Sequence, residues 1–235
     1  MIKRIVVLTG AGISAESGIQ TFRAADGLWE NHRVEDVATP EGFDANPELV
    51  QSFYNQRRRG LLSAAVQPNA AHIALAELEQ NFHGELLLVT QNIDDLHKRA
   101  GSRRLIHMHG ELLKMRCISS QQVFEILEDI TPELRCPCCG LRNMLRPHVV
   151  WFGEMPLAMD DIYTALARCD VFVAVGTSGQ VYPAAGFVEV ANEAGARTIE
   201  VNLDDSARTS AFAEQRRGLA SRELPALCRE LLGAQ

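Results

Sequence analysis

The chain has 235 residues, 46% of them hydrophobic and 23% charged, with a formal net charge of −7. That is material for one large α/β domain, or one domain carrying a smaller insertion, and the acidic balance argues against bulk nucleic-acid binding. No apolar run approaches membrane-spanning length, and the apolar start Met-Ile-Lys-Arg-Ile-Val-Val-Leu is too short for a signal peptide, so a cytoplasmic protein without membrane attachment is expected. Six cysteines in such a chain suggest a reducing compartment, where clustered thiols bind metal more often than they pair.

The first predicted strand, residues 4–8, breaks abruptly into Gly10-Ala11-Gly12-Ile13-Ser14-Ala15. Gly10 and Gly12 would let the backbone turn tightly and approach a phosphate, with Ser14 and the N–H groups of a following helix holding the anion. Gly-x-Gly-x-x-Ala alone fits a plain structural turn equally well. Residues 24–67 contain one well-marked helix, 47–59, with Asn46 as N-cap, Pro47 and Glu48 in the first turn, and Arg57-Arg58-Arg59 before Gly60. Further helices are predicted at 70–80, 160–168, 182–193 and 222–232, and further strands at 85–90, 104–108, 170–175 and 196–202. Strands separated by helices imply a doubly wound, mainly parallel sheet with both faces covered.

Residues 24–67 and 113–147 do not follow that alternation, and the second stretch holds four of the six cysteines with little periodicity. They read as two insertions building a small domain. The expected division is a Rossmann-like domain of residues 1–23, 68–112 and 148–235, and a small helical, cysteine-containing domain of residues 24–67 and 113–147.

Ligands of open α/β sheets bind at the carboxyl ends of the strands. Four of the five predicted strands end in small or polar clusters: the glycine turn, then Gln91-Asn92-Ile93-Asp94, Gly176-Thr177-Ser178 and Asn202-Leu203-Asp204. Four such clusters on one edge suggest a dinucleotide crevice. A standard dehydrogenase adds an acid at the end of a second strand about 20 residues past the glycines. Glu35 and Asp36 lie at that distance with no strand before them, which counts against an ordinary oxidoreductase. The remaining strand ends in His107-Met108-His109-Gly110.

The blocks Gly10-Ala11-Gly12-Ile13-Ser14 with Phe22-Arg23, Thr90-Gln91-Asn92-Ile93-Asp94 with Leu96-His97, and His109-Gly110 resemble the successive signatures of the sirtuins, NAD-dependent protein-lysine deacylases. The match runs in order from Val7 to about Ala220, and Arg146-Pro147-His148-Val149-Val150-Trp151-Phe152-Gly153-Glu154 is similar to bacterial members with relaxed acyl preference. The resemblance implies a reaction in which the acyl oxygen of a modified lysine attacks the NAD ribose as nicotinamide leaves. Water then releases lysine and an O-acyl-ADP-ribose. It implies His109 as the base for a ribose hydroxyl, a role suited to an imidazole. Asn92 would hold the ribose or a water, Ile93 and Asp94 the nicotinamide carboxamide, and Gln91 the ribose hydroxyls. Arg23 would offer a donor fork to the diphosphate and Phe22 would screen the ribose. Ser14 would grip NAD, Gly176, Thr177 and Ser178 would face phosphate and ribose, Asn202, Leu203 and Asp204 the adenosine ribose, and Ala220 the ring. Asp26 and Glu30 read as solvated loop charges, and His107 as structural.

The stretch 150–154 matches the segment along which sirtuins add an acylated peptide as a strand, through Val150, Phe152, Gly153 and Glu154, a mode that tolerates many flanking sequences. A buried edge strand is the alternative. Tyr54 and Arg57 stand three apart on one helix face and match the Tyr-x-x-Arg pair of sirtuins that remove succinyl and malonyl groups. Arg and a phenol would partner a distal carboxylate, and Ala15 would widen the pocket; Arg58 and Arg59 read as complements to the helix dipole. Sirtuins hold a structural zinc with two Cys-x-x-Cys pairs. Here Cys136 and Cys139 form the second, while the first is Cys117-Ile118-Ser119-Ser120. Serine is a poor zinc ligand, so Cys117, Cys136 and Cys139 are the expected set, with Cys138 an alternative donor. Cys169 and Cys228 read as core thiols on helices. Nothing in the pattern calls for an oligomer, so a monomer is expected. An NAD-dependent oxidoreductase, a non-catalytic NAD sensor and a protein ADP-ribosyltransferase on the same fold are the competing functions.

Overall fold

The computed structural model of the chain describes residues 2–20, 28–29 and 32–234. In chain order the elements are β1 (Arg4–Thr9), a 3-10 turn (Ala11–Ser17), β2 (Leu28–Trp29), β3 (His32–Arg33), α1 (Val34–Val37), α2 (Pro40–Ala45), α3 (Pro47–Leu61) and α4 (Ala70–Asn81). There follow β4 (Glu85–Thr90), α5 (Leu96–Ala100), β5 (Leu105–His107), β6 (Gly110–Cys117), β7 (Val123–Glu125) and β8 (Leu145–Val149). The chain closes with α6 (Met159–Leu166), β9 (Val171–Val175), α7 (Phe187–Glu193), β10 (Arg197–Asn202), β11 (Glu214–Arg217) and α8 (Ala220–Gly233).

Six strands form one parallel sheet in the order β11-β10-β9-β1-β4-β5. The chain steps outward from β1 through β4 and β5, then returns to the other flank of β1 at β9 and steps outward again. This reversal between β1 and β9 is the topological switch point of a Rossmann-like sheet. Alternate residues face opposite layers. Ile5 and Val7 pack with Leu75 and Leu78 of α4 and Leu224 and Leu227 of α8. Val6 and Leu8 pack with Ile162 of α6 and Phe187 of α7 on the other face. Both layers are buried, which is why β1 and β9 read as unbroken apolar runs.

Two excursions supply the rest. Helices α1–α3 lie between β1 and α4, and β6–β8 form an antiparallel sheet between β5 and α6. That sheet corrects the reading of residues 113–147 as aperiodic. The buried positions of β6 change parity across a register shift, from Gly110 and Leu112 to Met115 and Cys117, so no single alternation runs its length. β11 was also missed: Glu-Gln-Arg-Arg has no apolar residue, and the strand is held by its backbone ladder to β10 and by ion pairs such as Arg217 Nη1 to Glu200, 2.9 Å. The predicted helix 182–193 is α-helical only from Phe187, after a 3-10 turn Ala184–Gly186. Cys169 is buried in the turn past α6 and Cys228 is buried on α8.

The α3 helix starts as the sequence predicts, with the Asn46 side chain accepting from Leu49 N–H at 3.0 Å and Pro47 in the first turn. Arg58 and Arg59 both stand in its last turn, where the sequence reading puts them as dipole complements, but Arg58 also has a buried role. Arg58 is fully buried, donating from Nε to Leu112 O (3.0 Å) and from Nη1 to Asn55 Oδ1 (2.8 Å) and Glu128 O (3.2 Å). Arg59 pairs with Asp129. Asn55 donates to Ile130 O and accepts from Ile130 N–H, both at 2.9 Å. One stripe of α3 thus binds the first excursion to the second.

At the switch point the turns after β1 and β9 touch backbone to backbone. Gly10 N–H donates to Val175 O at 2.9 Å and Gly12 N–H to Gly176 O at 3.0 Å. Gly176 has φ +62°, and a Cβ there would lie 2.6 Å from Ile13 N. Gly176→Ala is expected to cost about 2 kcal/mol or more, a fall of about 4–8 °C in melting temperature for a chain of this size. Gly60, with open space around its missing Cβ, provides the contrast: Gly60→Ala in α3 is expected to gain up to about 1 kcal/mol. Thermal unfolding of both variants checks the pair.

Candidate active site

The strand ends surround a cleft of about 1210 Å³. Gly10, Gly12, Gln91, Asn92, Asp94, His109, Thr177, Asn202 and Asp204 line one part of it, and Tyr54, Arg57, Val149, Trp151 and Phe152 another. Ala11, Ser14, Ala15, Ile93, Gly176, Ser178, Leu203, Ala220, Val150, Gly153 and Glu154 also border it. Phe22 and Arg23, assigned from the sequence to NAD, lie outside the described residues, as do Asp26 and Glu30.

The glycine turn differs from its sequence reading in one respect. The space left by the absent Cβ atoms of Gly10 and Gly12 is filled by Gly176, with contacts of 2.7 Å for each added Cβ. The glycines therefore let two turns meet, and the meeting shapes the crevice. Ser14 is fully buried: its Oγ donates to Asp94 Oδ2 at 3.0 Å and accepts from Asn92 Nδ2 at 3.2 Å. Asn92 Nδ2 also donates to Gly10 O at 3.1 Å, so the Gln91–Asp94 turn is fixed to the glycine turn by side chains from both.

Asp94 is buried, and burial is the main reason its carboxyl is raised to about 6, against the lowering from Leu96 N–H and Ser14 Oγ. Below this turn lies a buried polar set that sequence reasoning did not find. Thr9 Oγ1 donates to Thr90 Oγ1 at 2.9 Å, and His97 Nε2 sits 3.0 Å from Thr9 Oγ1. The His72 ring packs against that of His97 at a tilt of 58°, with centroids 4.8 Å apart. Burial lowers His72 to about 4 and holds His97 well below the ordinary histidine range, so both are neutral at physiological pH. The Leu96-His97 part of the motif was the available signal; its partner His72 has none, because pairing across α4 and α5 is tertiary.

Two histidines staple the end of β5 to the end of β4. His109 Nδ1 lies 3.1 Å from Gln91 O and His107 Nδ1 3.3 Å from Asn92 O. A carbonyl only accepts, so each Nδ1 carries the proton and each Nε2 the lone pair. His109 is half-buried, lines the cleft and is shifted down by burial, which leaves Nε2 as an unprotonated base. His107 instead approaches Glu111, with Nε2 3.9 Å from its carboxylate.

At the other end of the cleft Tyr54 is fully buried, its hydroxyl accepting from Trp151 Nε1 at 2.9 Å. Burial raises the phenol far above its ordinary value, with the Arg57 charge among the opposing influences. Arg57 stacks over Phe53 with Cζ 3.2 Å from the ring centroid, and Trp29 is 4.9 Å away. The 150–154 stretch is not extended throughout. β8 ends at Val149, and residues 151–154 close as a turn, with Glu154 N–H donating to Trp151 O at 3.0 Å and Gly153 at φ +90°. The cause is the Glu154 carboxylate, which receives Arg146 at 2.7 and 3.0 Å, Arg116 at 2.9 Å and Trp151 N–H at 2.8 Å. Those donors occupy the side chain of Glu154. Phe152 is exposed beside the cleft.

The cysteine expectation is enlarged. The Sγ atoms of Cys117, Cys136, Cys138 and Cys139 all lie within 4.8 Å of one another. Ser120 Oγ lies 3.2 Å from Cys138 Sγ, beside the cluster, where Cys138 makes the fourth thiol. A zinc ion with bonds of about 2.3 Å separates its sulfurs by about 3.8 Å, so four thiols at this spacing fit a closed structural zinc site. Cys117 closes β6, the other three lie in the connection to β8, and none of the four borders the cleft, so the cluster would hold the second excursion together rather than touch a substrate.

The chain matches the Sir2 family over residues 10–183. A protein from Vibrio cholerae serotype O1 named NAD-dependent protein deacylase is 62% identical over 233 residues, covering 99% of this chain and 95% of the relative. One of the same name from Escherichia coli is 63% identical over 229 residues, covering 97% and 82%. Among solved structures, a Sir2 homolog–NAD complex superposes with a TM-score of 0.89 at 43% identity, covering 99% of this chain and 91% of that one. A Sir2–p53 peptide–NAD+ complex superposes with a TM-score of 0.80 at 27% identity, covering 99% and 93%. The chain belongs to the Sir2 family. No helix among the described residues is long and apolar enough to cross a membrane.

Two measurements test the site. Asp94 has a folded pKa above its unfolded value, so its contribution is fully present below about pH 4 and is lost as pH rises through about 6. Asp94→Asn is therefore expected to raise the melting temperature at pH 8, by an amount equivalent to at most about 3 kcal/mol, and to give no gain at pH 4. An equal shift at both pH values would show that the carboxylate is not destabilised by burial. Metal analysis of protein purified without chelator is expected to return about one zinc per chain, and less than half an equivalent from Cys138→Ser. Full zinc in that variant would mean that three thiols suffice.

Proposed function

We propose that this Sir2-family protein is an NAD-dependent protein-lysine deacylase that removes acetyl groups and also succinyl and malonyl groups. The observation that carries the reading is the continuity of one cleft: His109, Asn92 and Asp94 border it at the strand ends, and Tyr54 and Arg57 border it on α3. A lysine whose acyl oxygen reaches the ribose from the α3 side would place the far end of its acyl group near the Tyr54–Arg57 face.

NAD is a substrate of this reaction. It would lie along the carboxyl edge, adenosine toward Asn202, Leu203, Asp204 and Ala220, phosphates toward Gly176, Thr177 and Ser178, and nicotinamide ribose toward Gln91, Asn92 and Ile93. In the family's chemistry the acyl oxygen bonds to the ribose carbon as the nicotinamide bond breaks. His109 Nε2, left unprotonated by the Nδ1 bond to Gln91, would take a ribose hydroxyl proton. Water completes the release of lysine and O-acyl-ADP-ribose. Asp94 would accept from the carboxamide of nicotinamide. A zinc ion on the four cysteines would be structural.

For a dicarboxylic acyl group, Arg57 supplies the charge and Tyr54 a hydroxyl at the end of an otherwise apolar pocket. The peptide main chain would run beside Val150, Phe152 and Gly153. With the Glu154 carboxylate bonded to Arg116, Arg146 and Trp151, recognition there would fall to backbone groups.

Acetylated and succinylated lysine peptides incubated with NAD are each expected to lose the mass of one acyl group, with matching nicotinamide release. His109→Tyr is expected to abolish both reactions. Arg57→Met is expected to lower desuccinylation at least about tenfold relative to deacetylation, the scale of one lost charged hydrogen bond. Formation of NADH, label left on the protein, or unchanged peptide mass would overturn the reading. Equal losses on both acyl peptides in Arg57→Met would overturn its dicarboxylate part.

A further inference from the structure

Helix α3 has two working faces. Tyr54 and Arg57 border the cleft. One step around the helix, Gln51, Asn55 and Arg58 follow the i, i+4, i+7 rule of a single stripe. Each of these three reaches backbone of the second excursion: Gln51 Nε2 donates to Leu145 O at 2.7 Å, Asn55 pairs in both directions with Ile130, and Arg58 spans Leu112 O and Glu128 O. Arg58 also donates to Asn55 Oδ1, so the two side chains form one unit.

Arg58 is an expensive way to pack a helix. It is fully buried, and its hydrogen-bond acceptors among the described residues are two carbonyls and an amide, with the Asp129 charge acting on it only at a distance. An apolar side chain of similar volume would bury more easily. What the polar pair adds is direction. Hydrogen bonds to backbone atoms on both sides of the stripe fix the rotation of α3 about its axis and its height along it, which apolar contacts leave soft.

We propose that Asn55 and Arg58 are positioning residues for acyl selection: by locking α3 to the second excursion they set where Tyr54 and Arg57 stand in the cleft. The inference rests on the dicarboxylate reading above. An acetyl group needs only room and apolar walls. A terminal carboxylate needs a guanidinium and a hydroxyl placed to within about 0.5 Å and 10–20°. Loosening α3 therefore penalises succinyl far more than acetyl.

The test measures KM and kcat for acetyl-lysine peptide, succinyl-lysine peptide and NAD in the wild type, Asn55→Ala, Arg58→Met and the milder Gln51→Ala. Asn55→Ala and Arg58→Met are expected to raise the succinyl-peptide KM about tenfold, leaving the KM values for acetyl peptide and NAD within about twofold. Gln51→Ala is expected to move the same ratio in the same direction by a smaller factor, and it remains informative if Arg58→Met does not fold. A merely structural role lowers the folded fraction, and with it kcat for both peptides, without changing their KM ratio. That result in the folded variants overturns the inference while leaving the dicarboxylate reading intact. A wild type that does not process succinyl peptide overturns the dicarboxylate reading, and the inference with it.

Discussion

The contact between the glycine turn after β1 and Gly176 after β9 sets the spacing of everything around the cleft. Two peptide planes approach until Gly12 N–H bonds to Gly176 O, and no side chain fits between them. From that contact Gly10 O reaches Asn92 Nδ2, and Ser14 reaches Asp94, which places the second strand end relative to the first. The third follows because His107 and His109 hold the carbonyls of Asn92 and Gln91. The ends of β9, β1, β4 and β5 are thus joined in a chain of hydrogen bonds before any ligand arrives. Such preorganisation is what an electrostatic site requires, since its groups need not reorient during reaction.

The α3 helix does for the other wall what the glycines do for the strand ends. Its apolar residues Val50, Phe53, Tyr54 and Leu61 share a core with Leu112, Val149 and Trp151, so the first excursion, β6 and the end of β8 are packed as one body. Trp151 serves twice, bonding Tyr54 through its indole N–H and carrying Arg146 against its ring at 3.3 Å. Arg146 in turn holds Glu154 and the turn that ends beside the cleft.

Much of this was legible in the sequence where local rules decide. The buried strands announced themselves as β-branched runs, and α3 through Asn46 and Pro47, because capping and propensity act over a few residues. The four small or polar clusters at strand ends pointed to the cleft, and all of their residues except Ile13, which is buried in the core, border it. What escaped was set by partners distant in the chain. β11 contains only charged and amide side chains, so its pairing with β10 left no apolar signal. Arg58 read with Arg59 as a complement to the helix dipole, and only the fold brings Leu112 and Glu128 to it. Cys138 was legible only as an alternative donor, and it takes the fold to bring its thiol into the cluster beside Ser120. The 150–154 stretch read as extended because its turn is made by the Glu154 side chain rather than by a turn-forming dipeptide alone.

The pairing of β1 with β9 also governs how the molecule is assembled. Ile5 lies beside Val171 in the sheet, so the seam that forms the cleft joins the start of the chain to a strand beyond both excursions. Closing a loop of that length carries an entropic cost before any contact in it is made, rising by about 0.6 kcal/mol for each doubling. Parallel, non-local pairing of this kind folds slowly compared with hairpins or helix pairs. During synthesis β1 and β4 exist well before β9 emerges, and until then the glycine turn has no opposite wall. The walls carried by Gly176, Thr177, Asn202 and Asp204 are consequently acquired late, and a chain cut short before β9 has only part of the cleft.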